Sequence, residues 1–228
     1  MKLLIAMATF FALPIFSQHK PESQKLFTLF DQTVGIKNTD LSYGTLFIDK
    51  YRKLDGNHQF LNEDDFKKGT VNYQNQIFYN VFLKYDLADD HLIVNLSSDF
   101  ENRSIILEKA LVESFIIDNN NFEKNTEYGY LEVLNKSEKI TFYKKNNKIK
   151  KKKLNESFVY YKFLEKNIYY LKYANKIVKI DHKKDIIKAF PLQKKMINSF
   201  YKTQKNLRKS NIDNFYKLLS TKLSSKLT

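Results

Sequence analysis

Ten consecutive residues of this sequence hold seven lysines: Lys144, Lys145, Lys148, Lys150, Lys151, Lys152 and Lys153. Like charge at that density repels itself, so the segment is expected to project into water and to neutralise anions at little cost. The anions it could meet outside the cytoplasm are lipopolysaccharide phosphates, acidic polysaccharide and extracellular DNA. Nearby Tyr143, Phe158, Tyr160 and Tyr161 have ring faces that could stack on sugars or bases. The plainer reading is a solvated hairpin extension whose rings alternate as a half-buried strand requires. Intracellular nucleic acid is a poor fit. Only Arg52, Arg103 and Arg208 among 39 basic residues carry the guanidinium fork that reads phosphates and guanine edges.

Other chemistry is weaker. The four histidines His19, His58, His91 and His182 lie far apart, and no second ligand stands at helical spacing from any of them. The nearest approach to a metal set is Asp55, His58, Glu63, Asp64 and Asp65. Calcium-loop spacing is missing there, so a solvated acidic turn with Glu63 or Asp64 capping a helical start is the simpler expectation. Asp55, Asp86 and Glu132 could converge into a glycosidase-like pair, but any chain with 25 acids offers such pairs. Five dispersed glycines give no phosphate cradle, and no cofactor motif is present.

Charge is divided along the chain. Residues 18–142 hold 14 Lys and Arg against 20 Asp and Glu, a net of −6, whereas residues 143–228 hold 24 against 5, a net of +19. Such asymmetry can orient a molecule toward an anionic surface. Lysine, asparagine, isoleucine, tyrosine and phenylalanine are also the products of AT-rich codons, so part of the bias is compositional.

The elements that must position these residues read as strand first and helix last. Runs at 69–73 and 77–85 are β-branched and aromatic across polar Gln74-Asn75-Gln76, predicting a hairpin. Residues 86–90 then turn, and Leu92, Val94 and Leu96 alternate as a third strand. Strands at 105–107 and 111–117 precede a break at Asp118-Asn119-Asn120-Asn121. A second hairpin joins 128–134 to 140–145, and strands at 158–164, 168–173 and 176–180 follow across 165–167 and Ala174-Asn175. Connections this short exclude parallel crossovers, and eight to ten antiparallel strands should curl or close. After Asp181 a short helix at 182–190 leads to Pro191 and an apolar stripe of Leu192, Met196, Phe200 and Leu207. Ser210 with Asp213 resembles a capping box before Ile212, Phe215, Tyr216, Leu219 and Leu223. Packing on the sheet is the expected use of these helices.

Three runs together resemble a known group: Tyr51-Arg52-Lys53-Leu54-Asp55-Gly56-Asn57-His58-Gln59-Phe60, Lys68-Gly69-Thr70-Val71-Asn72-Tyr73 and Asn80-Val81-Phe82-Leu83-Lys84-Tyr85-Asp86. They are similar to exported β-rich proteins of Bacteroidetes, as are Tyr169-Tyr170-Leu171 and Lys183-Lys184-Asp185-Ile186-Ile187 leading into lysine-rich helices. The resemblance implies export and transfers no activity.

The N-terminus supports export independently. Lys2 precedes fourteen apolar-rich residues from 3 to 16, too few to span about 30 Å of hydrocarbon, and small Ser17 suits a cleavage between Ser17 and Gln18. No cysteine is available for lipidation or disulfides, so stability must come from core burial. The expectation is therefore a leader at 1–17 and one α+β domain at 18–228. That domain would be a curved, mostly antiparallel sheet, with a half-barrel as one way to curl, and amphipathic helices over about 182–225. Its destination would be the periplasm, the outer membrane or the medium. It would be a non-enzymatic binding or structural protein that meets anionic envelope or extracellular polymers through its basic C-terminal region. An apolar-ligand carrier and a hydrolase whose acids meet only in the fold are the alternatives.

Overall fold

Two-residue turns organise the sheet. A computed structural model describes residues 21–54, 56–96 and 103–227. The expected leader at 1–17, the expected junction of Ser17 and Gln18, His19 and Asp55 lie outside the described residues. A helix α1 (Pro21–Val34) comes first, and then thirteen strands: β1 (Gly44–Leu46), β2 (Lys67–Tyr73), β3 (Gln76–Asp86), β4 (His91–Asn95), β5 (Ser104–Leu107), β6 (Val112–Ile117), β7 (Asn120–Asn125), β8 (Gly129–Lys136), β9 (Ile140–Lys145), β10 (Lys148–Leu154), β11 (Val159–Glu165), β12 (Ile168–Tyr173) and β13 (Lys176–Lys179). Gln74-Asn75, Asp118-Asn119 and Ala174-Asn175 each join two strands with both residues at positive φ. That is the left-handed turn whose twist matches the flanking strands. The break expected at 118–121 is thus such a turn, and Asn120 already belongs to β7.

Eleven strands form one antiparallel sheet in the order β1-β5-β4-β3-β2-β6-β7-β8-β9-β12-β13. Register shifts at Gly69/Thr70, Asn72/Tyr73 and Val133/Asn135 insert single residues that bend and twist the strands. Bending brings distant parts together: Lys145 at the end of β9 reaches Asp90 in the β3–β4 turn, although β3 is five strands away along the sheet. The sheet nevertheless stays open, with short β1 at one end and lysine-bearing β13 at the other, both poor templates for further pairing.

One face carries two apolar clusters. Tyr130 and Glu132 share a face of β8, Glu132 stands opposite Lys144, and Lys144 shares a face of β9 with Phe142, so the clusters holding Tyr130 and Phe142 lie on the same side. In the first, Phe115 stacks on Phe122 at 4.6 Å, and Tyr85 meets both edge-on at 5.3 and 5.4 Å. Such pairs add roughly 0.5–1.5 kcal/mol each beyond area burial. Tyr73, Phe78 and Tyr130 complete this filling of the curled side.

In the second cluster, α2 (Lys183–Ala189), α3 (Lys194–Thr203), α4 (Lys205–Ser210) and α5 (Ile212–Ser224) cover Phe142 and Leu171. Ile186, Phe190, Ile197, Phe200, Phe215, Leu219 and Leu223 point inward. The helices pack on the sheet, as their stripes require. Two details differ from the sequence reading. Leu192 lies in a 3₁₀ turn and is 92 % exposed, with Ile197 taking its place in the stripe. The last helix is capped by Asn211, whose side chain accepts from Asn214 N–H at 2.9 Å, while the Ser210 hydroxyl bonds backward to Asn206 and Leu207 carbonyls. No helix among the described residues is long and apolar enough to cross a membrane.

Candidate anion-docking hairpin

The lysine run sits on strands that the main sheet does not use. β9 pairs directly with β12, Lys145 standing opposite Ile168, so residues 146–167 leave the sheet and return to it. Strands β11 and β12, adjacent in sequence, are therefore not partners. Instead β10 and β11 form a separate antiparallel pair, from Lys148 opposite Glu165 to Leu154 opposite Val159. Asn155 N–H donates to the Phe158 carbonyl at 2.9 Å across the turn. Strand alternation gives this hairpin two faces. Lys148, Lys150, Lys152, Tyr161 and Phe163 share one, and Ile149, Lys151, Lys153, Lys162 and Leu164 share the other.

The first face is seated on the segment before β2. Phe163 is buried, and the Tyr51 ring meets it and Tyr161 edge-on at 5.6 and 4.9 Å. Asn57 imitates a strand neighbour, accepting from Phe163 N–H at 2.6 Å and donating to the Phe163 carbonyl at 3.0 Å. Tyr161 N–H donates to the Arg52 carbonyl at 2.9 Å. Lys148 donates to the carbonyls of His58 and Phe60 at 2.9 and 2.8 Å. Burial lowers its pKa, opposed by the charges of Glu165, Asp86 and Asp64. Lys150 donates to the Tyr51 hydroxyl at 2.5 Å and to Asp89 at 2.6 Å, and Tyr51 donates to the other Asp89 oxygen at 2.8 Å. Burial pushes the Asp89 carboxyl up, but Lys150, Tyr51 and Lys50 outweigh it and hold it at about 2.

The two lysines before the hairpin are also occupied. Lys144 pairs with Asp213 of α5 at 2.7 Å, where the Tyr169 hydroxyl donates to the second carboxylate oxygen, also at 2.7 Å. Lys145 shares Asp90 with Lys109 and with the Tyr85 hydroxyl, and burial pulls its pKa down against the Asp90 charge. Of the seven lysines, then, Lys144, Lys145, Lys148 and Lys150 hold the fold together rather than projecting into water. Lys151, Lys152 and Lys153 remain exposed with no carboxylate partner among the described residues, and across the ladder so does Lys162, which lies directly opposite Lys151.

The acidic residues singled out from sequence are likewise dispersed among lysines. Glu63 pairs with Lys67 at 2.5 Å, and Asp64 bridges Lys53 at 2.5 Å and Lys84 at 3.0 Å. His58 Nδ1 accepts from Phe60 N–H at 3.2 Å, and burial together with Lys148 lowers its pKa. Asp65 is exposed, and among the described residues no three metal-ligating side chains converge. Asp86 and Glu132 do different work: Asp86 accepts from Ala88 and Asp89 N–H at 2.8 and 3.0 Å, and Glu132 accepts from Asn146 at 2.6 Å. A recess of about 40 Å³ beside Asp86, lined also by Asp49, Asp89, His91 and Gln59, has room for little more than one water, whose share of liquid volume is about 30 Å³. A wider polar recess of about 340 Å³ between the β8–β9 and β12–β13 turns is lined by Lys136, Lys139 and Lys172. Glu123 and the Leu227 carbonyl already engage Lys136 and Lys139.

No known protein family, curated protein or solved structure matches this chain.

The sequence reading missed Lys162, Asn57, Tyr51 and Asp89. A signal for Lys162 existed: polar Asn155-Glu156-Ser157 after Leu154 marks a turn, and folding the chain back across it sets Lys162 against Lys151. The anchors carried none, since their partners are between 38 and 106 residues away.

Proposed function

We propose that this is an exported, non-enzymatic protein of the envelope or medium that docks on polyanionic surfaces through the β10–β11 hairpin. The observation carrying this reading is the Lys151–Lys162 rung. Like charges directly opposite each other on a ladder destabilise it, and here neither they nor Lys153 beside them has a carboxylate among the described residues to offset the repulsion. An arriving polyanion supplies that offset. The hairpin is rigidly based, so its lysines are presented at little ordering cost. The charge division of the chain favours approach with this side foremost.

Retention of the full chain on immobilised heparin tests the reading. It should fall steeply with salt, and K151E/K162E should elute at distinctly lower salt with an unchanged circular dichroism spectrum, because both side chains are exposed. Retention equal at low and high salt would remove the proposal.

A further inference from the structure

The last rung of the hairpin is apolar. Leu154 stands opposite Val159, and they are 80 % and 38 % exposed. They share a face with Tyr161 and Phe163, which rest on Tyr51, and beyond these the body meets the tip again only beside the turn. Behind the tip lie Lys151, Lys152, Lys153 and Lys162, and behind these Ile149 opposite Leu164, again exposed. Phe158 beside the turn carries the Arg52 guanidinium on its ring at 3.6 Å.

Single exposed aliphatic residues are ordinary on protein surfaces. What is informative is their position, at the hairpin tip with Lys152 on their own face and Lys151, Lys153 and Lys162 on the other, none of them ion-paired among the described residues. A soluble polyanion is bound by the lysines alone and gains nothing from Leu154. A bilayer interface rewards both, since acidic headgroups meet ammonium groups while the acyl boundary takes aliphatic side chains. The spacing suits that use. Leu154 is two or three residues from Lys152 and Lys151, roughly 7–10 Å of strand, and interfacial segments bury apolar groups by about 5–10 Å. Lysine stems can lie along the acyl region with their charges at headgroup level, and Tyr160 supplies a ring of the kind found at that depth.

We infer that the hairpin docks on an anionic lipid bilayer, with Leu154 and Val159 entering the headgroup boundary and Lys151, Lys152, Lys153 and Lys162 holding acidic headgroups around them. This rests on the polyanion reading above and names its partner. Glu156 in the turn is the one acid at the tip, and it opposes the docking.

The full chain is sedimented with vesicles of phosphatidylcholine alone and of phosphatidylcholine mixed with phosphatidylglycerol. It should bind only the mixed vesicles, and E156Q should bind them more tightly. The charge-neutral variant L154S/V159S should lose about tenfold or more in vesicle partitioning while keeping wild-type retention on heparin, as expected on withdrawing two aliphatic groups from the bilayer boundary. Since the chain has no tryptophan, L154W is a single reporter whose emission should shift to the blue on mixed vesicles. Heparin retention without vesicle binding would overturn the lipid inference and leave a soluble polyanion as partner, with the proposed function intact. Wild-type vesicle binding by L154S/V159S, an unshifted L154W spectrum, or weaker binding by E156Q would each overturn it too. Salt-insensitive behaviour on both supports would instead sink the underlying reading.

Discussion

Asp89 joins three partners that come from two separate parts of the chain, Lys50 and Tyr51 before β2 and Lys150 in β10. Its carboxyl titrates at about 2 in the folded protein against an ordinary 3.8. A carboxylate depressed by folding contributes its stability in full above the unfolded value, and loses it as pH falls through about 4 toward about 2. The contribution is on the order of 1–2 kcal/mol after allowing for solvent screening. Urea midpoints measured across that range should therefore converge for wild type and D89N as pH drops, and a constant gap at every pH would refute this. Gly129 offers a second test. It has φ of +73°, and a Cβ there would come within 2.0 Å of Asp90 Oδ2, an oxygen tied down by Lys109 while its neighbour holds Lys145 and Tyr85. Gly129→Ala should cost about 2 kcal/mol or more of unfolding free energy, read as a lower urea midpoint at unchanged slope. At this scale the sequence was partly legible. The lysine run announced itself, but charge density cannot distinguish Lys145, half-buried against Asp90, from Lys151 in water, because the difference lies in a partner 55 residues away.

Hairpins with tight turns were the most legible elements, since Gln74-Asn75 and Ala174-Asn175 join β-branched and aromatic runs with residues that tolerate or favour the turn. Strand β10 was not, because a run of lysines lacks the propensity that marks a strand and becomes one only by pairing with β11. Asn-rich β7 was hidden for the same reason. The partnership of β9 with β12 was obscured by the 22 residues inserted between Lys145 and Ile168, because sequential strands usually neighbour each other. The helical end was read correctly in most of its stripes, but wrongly at Leu192 and Ile212, which are exposed, and in one cap. Asn211→Ala should destabilise the protein by about 1 kcal/mol, whereas Ser210→Ala should shift thermal unfolding hardly at all. The reverse ranking would restore Ser210 as the cap.

At the scale of the whole molecule, two apolar clusters share one continuous sheet face, joined through β8 and β9. Damage to either should be felt by both. Phe215→Ala, which removes a fully buried ring from the helical cluster, should cost about 3–5 kcal/mol and lower the protection of β3 amides in hydrogen exchange together with those of β9. Undiminished protection in β3 would mean that the clusters unfold separately. Alternation and turn spacing foretold an antiparallel sheet with terminal helices. They could not foretell that β2 lies beside β6, or that the β3–β4 turn meets the end of β9, because both follow from how bulges bend the strands in space. The excursion carrying the exposed lysines has its own consequence. Its two stems, Lys145 and Ile168, are already ladder partners, so the loop between them can be excised and bridged by a short reverse turn with no rung of the main sheet lost. What such an excision would cost is the seat of the segment before β2, because Lys148, Lys150 and Phe163 hold His58, Phe60, Tyr51, Asp89 and Asn57, so the ladder would survive while that segment lost its clasp.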